Sequence, residues 1–241
     1  MGYLSYCRPV TDARQEGTLA RTHEGKPGLP RGRSRLPLGV VRASQRERLL
    51  RSVIAAVSES GYPALTVADI VRRARVSRAA FYAHFADKEE CFLAATGEGR
   101  KLMITLVVSA TRALPAGACD EDVLRAACRA YLTFLADEPA FARVFFIFMP
   151  AAGPRAVDRR DAAPRLFADL NRTWHRRARE RHPEWPAVPD EAYLALAGAT
   201  DELVRSTVRA GRADTLPDLT ETLVSLHLAV LAARPWPAGF C

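Results

Sequence analysis

At 241 residues, with 49% hydrophobic and 26% charged residues, the chain is long enough for one large or two modest folded domains and does not have the composition of a disordered protein. Its net charge of +8 is uneven: residues 1–90 hold 16 Lys and Arg against 9 Asp and Glu, and residues 91–241 hold 19 against 18, so an anionic partner is expected for the N-terminal third. No apolar run approaches a membrane span, no signal-peptide core is present, and Cys7, Cys91, Cys119, Cys128 and Cys241 lack metal-ligand spacing, which points to a reduced, cytoplasmic chain without a metal centre.

Residues 1–43 show no helical period and are rich in Gly, Pro and Arg, the composition of a flexible basic arm. Within it, Pro30-Arg31-Gly32-Arg33-Ser34-Arg35 resembles the core of an AT-hook, where a thin extended backbone lies in the narrow minor groove and guanidinium groups follow its floor. Arg31, Arg33 and Arg35 are the expected contacts; a solvated basic tail is the plainer alternative. Next, Ser44-Gln45-Arg46-Glu47 has the spacing of a capping box, and Leu49, Val53, Ala56, Val57 and Ser60 follow at helical spacing as far as Gly61. This predicts a first helix from Ser44 whose apolar stripe packs across the two that follow.

Thr66 and Asp69 form another capping-box pattern, with Leu65 ahead of it placed to staple onto Ile70. Eleven residues on, Ser77 caps a second short helix, and Val76 is placed to staple onto Phe81. Two independent helix starts across a tight turn predict a helix-turn-helix. Ile70, Val71, Ala74, Val76, Phe81 and Phe85 can fill one core, leaving Ser77, Arg78, Ala79, Tyr82 and His84 toward the outside. Those types suit a duplex: a planar donor fork for guanine edges, small residues for close approach in the major groove, and hydroxyl or imidazole donors for phosphate. Ala80 and Val67 lie beside this face, and the hydroxyl and N–H of Thr66 are placed to meet a phosphate.

From about Gln45 to Leu93 the chain resembles the DNA-binding domain of TetR-family transcriptional regulators. That family has a Thr-led helix, a turn, a Ser-led recognition helix ending in Tyr-x-His-Phe, here Tyr82-Ala83-His84-Phe85, and Asp-Lys-Glu-Glu at the next helix, here Asp87-Lys88-Glu89-Glu90. One departure stands out: the family usually has Gly in the turn where this chain has Arg75, so an altered turn is expected, with Arg75 reaching phosphate. Lys88 sits in a first helical turn, where a cation opposes the macrodipole. A backbone-phosphate contact explains that placement better than a structural role, as the resemblance also implies.

From Cys91 onward the period is helical, with breaks at Leu114–Gly117, Met149–Pro154, His182-Pro183, Pro186–Pro189 and Gly211–Pro217. Helices are predicted near 87–113, 120–137, 139–149, 156–181, 190–210 and 215–233, giving an all-α chain of about nine helices. The expected organisation is an arm over 1–43, a DNA-binding domain over 44–92, a helical ligand-binding and dimerisation domain over 93–234 and a tail over 235–241. Tyr131, Phe134, Phe145, Phe148, Met149, Trp174 and His175 are candidates to line a cavity for an apolar molecule, although a plain core has the same composition. Cys119 and Cys128 read as packing residues in preference to a redox pair. Leu194, Ala197, Val204, Leu223, Leu226 and Val230 lie on two helices apolar on more than one side, which suits a four-helix bundle with a second copy. The resemblance implies the same homodimer, and a ligand-bound shape whose recognition helices no longer match successive major grooves.

The reading is a ligand-responsive, sequence-specific repressor that binds a palindromic duplex operator as a homodimer and is released by a small apolar or amphipathic effector, with no cofactor, metal or membrane. Two alternatives stand beside it. A nonspecific architectural DNA binder shares the basic field, and a helical enzyme is disfavoured because no phosphate loop, His-Glu-x-x-His or nucleophile elbow occurs.

Overall fold

The computed structural model describes residues 17–22 and 37–234. Among these the regular elements are all helical: α1 (Leu38–Ser60), α2 (Val67–Ala74), α3 (Arg78–Tyr82), α4 (Lys88–Arg112), α5 (Asp120–Asp137), α6 (Pro139–Arg143), α7 (Pro154–Arg181), α8 (Asp190–Arg209) and α9 (Thr220–Leu231). The all-α class with nine helices is the one the periodicity predicts, and α2, α4, α5, α7 and α8 fall within about two residues of expectation. No described helix is long and apolar enough to cross a membrane.

Three boundaries differ, each for a local reason. α1 begins at Leu38, not Ser44, because Pro37 sets an extended N-cap at φ −55° and ψ 141° from which the chain turns directly into helix. The Ser44-to-Glu47 spacing thus falls inside the helix, where Glu47 instead pairs with Arg51 one turn on. The helix expected over 139–149 is α6 followed by a π-helical turn, Val144–Phe148, and a 3-10 turn, Met149–Ala152. Pro150 lacks the N–H a continuing helix would need, and Gly153 leaves the helical region at φ 101°. α9 starts at Thr220 because Pro217 holds the preceding stretch, Ala213–Leu219, in a 3-10 turn.

The chain forms two compact units that do not follow chain order. The first joins Met1–Leu102 to Asp137–Ala156. Its core takes Leu49, Val53, Ile54 and Val57 from α1, Ile70 and Ala74 from α2, then Phe81, Phe85, Phe92 and Leu93. α1 packs on α2 and α3, and also on α6 and the π turn. For that reason Ser52 to Ser58 are buried on every side of α1, where a single apolar stripe was expected. Gly99 lets the Phe141 ring lie directly on α4, since a Cβ there would overlap the ring.

The second unit joins Met103–Ala136 to Val157–Cys241. Asp120, at the start of α5 where a carboxylate suits the helix dipole, is buried under Arg181, whose guanidinium bonds both carboxylate oxygens, and under His182 Nε2 at 3.3 Å. His182 stacks flat on Trp185 with centroids 4.7 Å apart, and Trp174 Nε1 donates to the Asp120 carbonyl at 3.2 Å. The end of α7 is thereby fastened to the start of α5. Burial pushes the Cys128 thiol up to about 12, and Cys119 lies nine residues earlier at the exposed start of the same helix. Nine helical residues span roughly 13 Å, beyond disulfide reach, so the two cysteines are not a redox pair.

Two histidines in this unit are buried and neutral. His227 Nδ1 bonds the Leu223 carbonyl at 2.7 Å while Nε2 lies 3.2 Å from Asn171 Nδ2, so Nδ1 carries the proton and Nε2 accepts. His175 Nδ1 lies 2.8 Å from the Tyr193 hydroxyl. Burial lowers the pKa of both below the ordinary histidine value; the Leu223 and Leu231 carbonyls oppose that, and Arg179 adds to it at His175. A depressed histidine contributes stability that is present above its unfolded pKa, near 6.5, and is lost as pH falls through the folded value. The unfolding midpoint should therefore drop between pH 7.5 and 5.5, with a slope of up to about 1.4 kcal/mol per pH unit for each histidine. Thermal unfolding at stepped pH measures this, and His227→Gln should flatten the profile.

Candidate nucleic-acid interface

Five residues make a poor helix in isolation, so α3 exists because its two ends and its inner side are held. Ser77 caps it, its Oγ accepting from Ala80 N–H at 3.0 Å. Phe81 is fully buried, with Phe85 at 5.9 Å between ring centroids and Tyr82 edge-on at 5.3 Å. With Phe81 inward, the helix has one rotation, and Ser77, Arg78, Ala79 and Tyr82 face outward, Tyr82 57% exposed. Ala80 and Val67 are half-buried at the margin of this face.

α2 carries the predicted capping box in full: Asp69 N–H donates to Thr66 Oγ1 at 3.1 Å, and Thr66 N–H donates to Asp69 Oδ2 at 3.2 Å. The Thr66 hydroxyl also donates to Asp69, which holds that carboxyl below its usual range. Both Thr66 donors expected to meet phosphate are thus already engaged. The N–H groups of Val67 and Ala68, without intrahelical acceptors at a helix start, are the donors this end still offers.

The altered turn expected at Arg75 does not occur. Arg75 takes the left-handed conformation a glycine would take, φ 53° and ψ 44°, and the turn closes normally with Arg75 N–H to Arg72 O at 3.3 Å and Val76 N–H to Val71 O at 3.2 Å. The turn is dictated by the packing of α2 against α3, so the residue conforms at a local cost. Its side chain is exposed.

Two assigned residues have structural employment. Lys88 Nζ donates to the Leu65 carbonyl at 2.8 Å and lies 4.8 Å from the Tyr62 ring centroid, which fastens the start of α4 to the end of the α1–α2 connection. That structural contact accounts for the cation in the first turn, where a phosphate contact was expected to explain it better than a structural role. His84 is half-buried with Nε2 enclosed; burial, then the charges of Arg42 and Arg46, hold its pKa below the ordinary value, so it is a neutral imidazole near pH 7. Arg42, whose charge bears on His84, was not among the expected contacts because the first helix was read from Ser44. Pro37 followed by an uninterrupted helical stretch is the signal that could have found it. Arg31, Arg33 and Arg35 lie outside the described residues.

The other two candidate sets are divided. Of the seven cavity residues, Phe145, Phe148 and Met149 belong to the first unit, and Tyr131, Phe134, Trp174 and His175 to the second. Phe145 stacks on Phe141 at 5.8 Å, Phe148 lies beneath Arg143 at 5.5 Å and beside Gly61, and Met149 is buried. Tyr131 packs on Phe167 at 5.2 Å, while Trp174 and His175 join Trp185 and Tyr193 in an aromatic group with centroids 5.8 to 6.4 Å apart. Of the six dimer residues, Ala197, Val204 and Leu223 are buried within the subunit, Leu226 is half-buried, and Leu194 and Val230 are exposed. Apolar periodicity marks a helix face without saying whether its cover is the same chain or another.

A family model described as "Bacterial regulatory proteins, tetR family" matches residues 50–95. No curated protein matches in sequence. Among solved structures, the fold is similar to that of the fatty acid degradation regulator FadR from Bacillus halodurans, with a TM-score of 0.68 at 17% identity over 76% of this chain and 94% of that one. It is also similar to FadR from Bacillus subtilis in complex with stearoyl-CoA, 0.65 at 14% over 76% and 97%, and to a TetR-like transcriptional regulator from Rhodococcus sp. RHA1, 0.56 at 22% over 83% and 100%.

Replacing Arg75 by Gly should remove the left-handed penalty of about 1–2 kcal/mol, partly offset by the greater unfolded-state entropy of Gly, for a net gain of about 0.5–1 kcal/mol. Calorimetry should show Tm raised by about 2 °C; an unchanged or lowered Tm contradicts the strained turn.

Proposed function

We propose, from the match of residues 50–95 to the tetR family of bacterial regulatory proteins, that this chain is a ligand-responsive, sequence-specific DNA-binding repressor acting as a cytoplasmic homodimer. DNA binding is assigned to the expected domain over 44–92 extended back to the start of α1 at Leu38, effector binding and dimerisation to 93–234. The observation that carries the proposal is the outward face of α3, where Ser77, Arg78, Ala79 and Tyr82 stand exposed on a helix rotated by the buried Phe81. Arg78 in the first turn supplies a donor fork of the size that meets guanine O6 and N7, and Ala79 lets the backbone come close. Ser77, Tyr82, Arg75, Arg42 and the N–H groups at the start of α2 serve phosphates, fixing register without reading bases. His84 and Lys88 support this face from within.

Dimerisation is assigned to the outer sides of α8 and α9, where Leu194 and Val230 are exposed large apolar residues and Leu226 is half-buried. An amphipathic effector fits a unit that places aromatic side chains around a few polar groups, His175, Tyr193 and Asn171 among them. A long-chain acyl thioester, of the class bound by the Bacillus subtilis FadR structure, is the first compound to try. Release requires that the effector favour one head spacing over the other, because equal affinity for both would shift nothing.

Selection from a random duplex pool should yield a palindromic site. On that site Arg78→Ala should lose about 1–3 kcal/mol of discrimination at particular base pairs, whereas Tyr82→Ala should weaken binding to all sequences alike. Competition binding with single-base variants measures both. Equal weak affinity for selected and random duplex would favour an architectural binder and overturn the proposal.

A further inference from the structure

Ahead of α1, the short stretch from Gly17 to Thr22 has a defined place that DNA reading does not use. It lies against Glu138, the residue that caps α6 and is itself only 5% exposed. The Glu138 carboxylate accepts Thr18 N–H on Oε1 at 2.8 Å, Leu19 N–H on Oε2 at 2.8 Å, and the Thr18 hydroxyl on Oε1. Two successive backbone N–H groups aimed at one carboxylate make an anion-holding nest. Arg21 N–H closes a turn on the Thr18 carbonyl at 3.3 Å, and Ala20 is fully buried. Gly17 has φ +71°, and a Cβ on it would overlap Glu138 Oε2 and stand 2.7 Å from the Asp137 carbonyl, so glycine alone fits.

Glu138 is where the chain leaves α5 and enters α6, and α6 with its π turn packs on α1. Its carboxylate pairs with no cation among the described residues. Stripped of the three donors from Thr18 and Leu19, it would be a buried charge without hydrogen bonds, and the start of α6 would have to shift until water reached it. We propose that Gly17–Thr22 is a regulatory strap: docked on Glu138 it clamps α6 against α1, and released it lets the start of α6 open, so that α6 packing has two states selected by a segment distant in sequence.

The strap is testable without DNA or effector, so its failure is separate from failure of the regulator reading. Hydrogen exchange on the full chain is compared for wild type, Gly17→Val, Glu138→Gln and the double variant. Gly17→Val blocks docking while leaving Glu138 in place. It should speed exchange at the Thr18 and Leu19 amides, and at the Ala142 amide that bonds the Glu138 carbonyl, by roughly ten-fold or more, with Ile70 and Phe81 unchanged. Glu138→Gln removes the charge that demands water, so the double variant should recover wild-type protection at Ala142 while Thr18 and Leu19 stay fast. Unchanged exchange at Ala142 in Gly17→Val, or acceleration there that Glu138→Gln does not relieve, overturns the proposal.

Discussion

Phe81 is the residue on which the rest depends. A five-residue helix has too few internal hydrogen bonds to persist, and what orients it is one aromatic side chain with no solvent exposure, against Phe85 in the core to which Ile70 and Ala74 also belong. Losing such a side chain costs about 3–5 kcal/mol in a packed core. Because the side-chain directions of a helix are fixed relative to one another, burying Phe81 also turns Ala79 and Tyr82 outward, while Arg78, a turn earlier at the start of the helix, is exposed beyond the edge of the core. The core and the exposed face are two sides of one constraint, and the Ser77 cap sets where along the chain that face begins.

The strained turn follows from the same constraint. α2 is positioned by its Thr66–Asp69 box and by Ile70 and Ala74, α3 by Ser77 and Phe81, and the two residues between them must join ends already placed. Arg75 is left-handed because its neighbours leave it nowhere else to be, and the chain tolerates the cost that a glycine would avoid. The sequence predicted that a left-handed residue would be strained there and that the turn would yield; the residue yields instead, because the outcome is decided by tertiary packing strength and not by local preference.

What was legible is what local physics dictates: the caps at Thr66 and Ser77, the stops at Gly61 and Gly211, the long helices between proline and glycine breaks, and the rotation of α3. What was not legible involves residues far apart in sequence. Ser52 to Ser58 are enclosed because α6 and the π turn return to α1 from more than eighty positions away, so no stripe on α1 announced them. Lys88 took a carbonyl and a tyrosine ring that only the fold brings to it. The seven cavity candidates fall in two compact units because abundance of aromatic and Met residues does not distinguish a packed core from a cavity lining. Nothing in the sequence around Glu138 marks it as a docking point, and its partners at Thr18 and Leu19 come from a segment whose composition resembles a loose arm.

The central claim is that the exposed face of α3, presented twice, reads base edges in the major groove. Guanine N7 methylation interference on the duplex selected by this chain tests it most directly, because N7 lies in that groove and is an acceptor for an arginine fork. The account predicts interference confined to two symmetry-related clusters about 10–10.5 base pairs apart or a multiple of that, with Arg78→Ala abolishing the effect at one guanine in each. Tight binding with no interfering guanine, or interference that Arg78→Ala leaves intact, would contradict it.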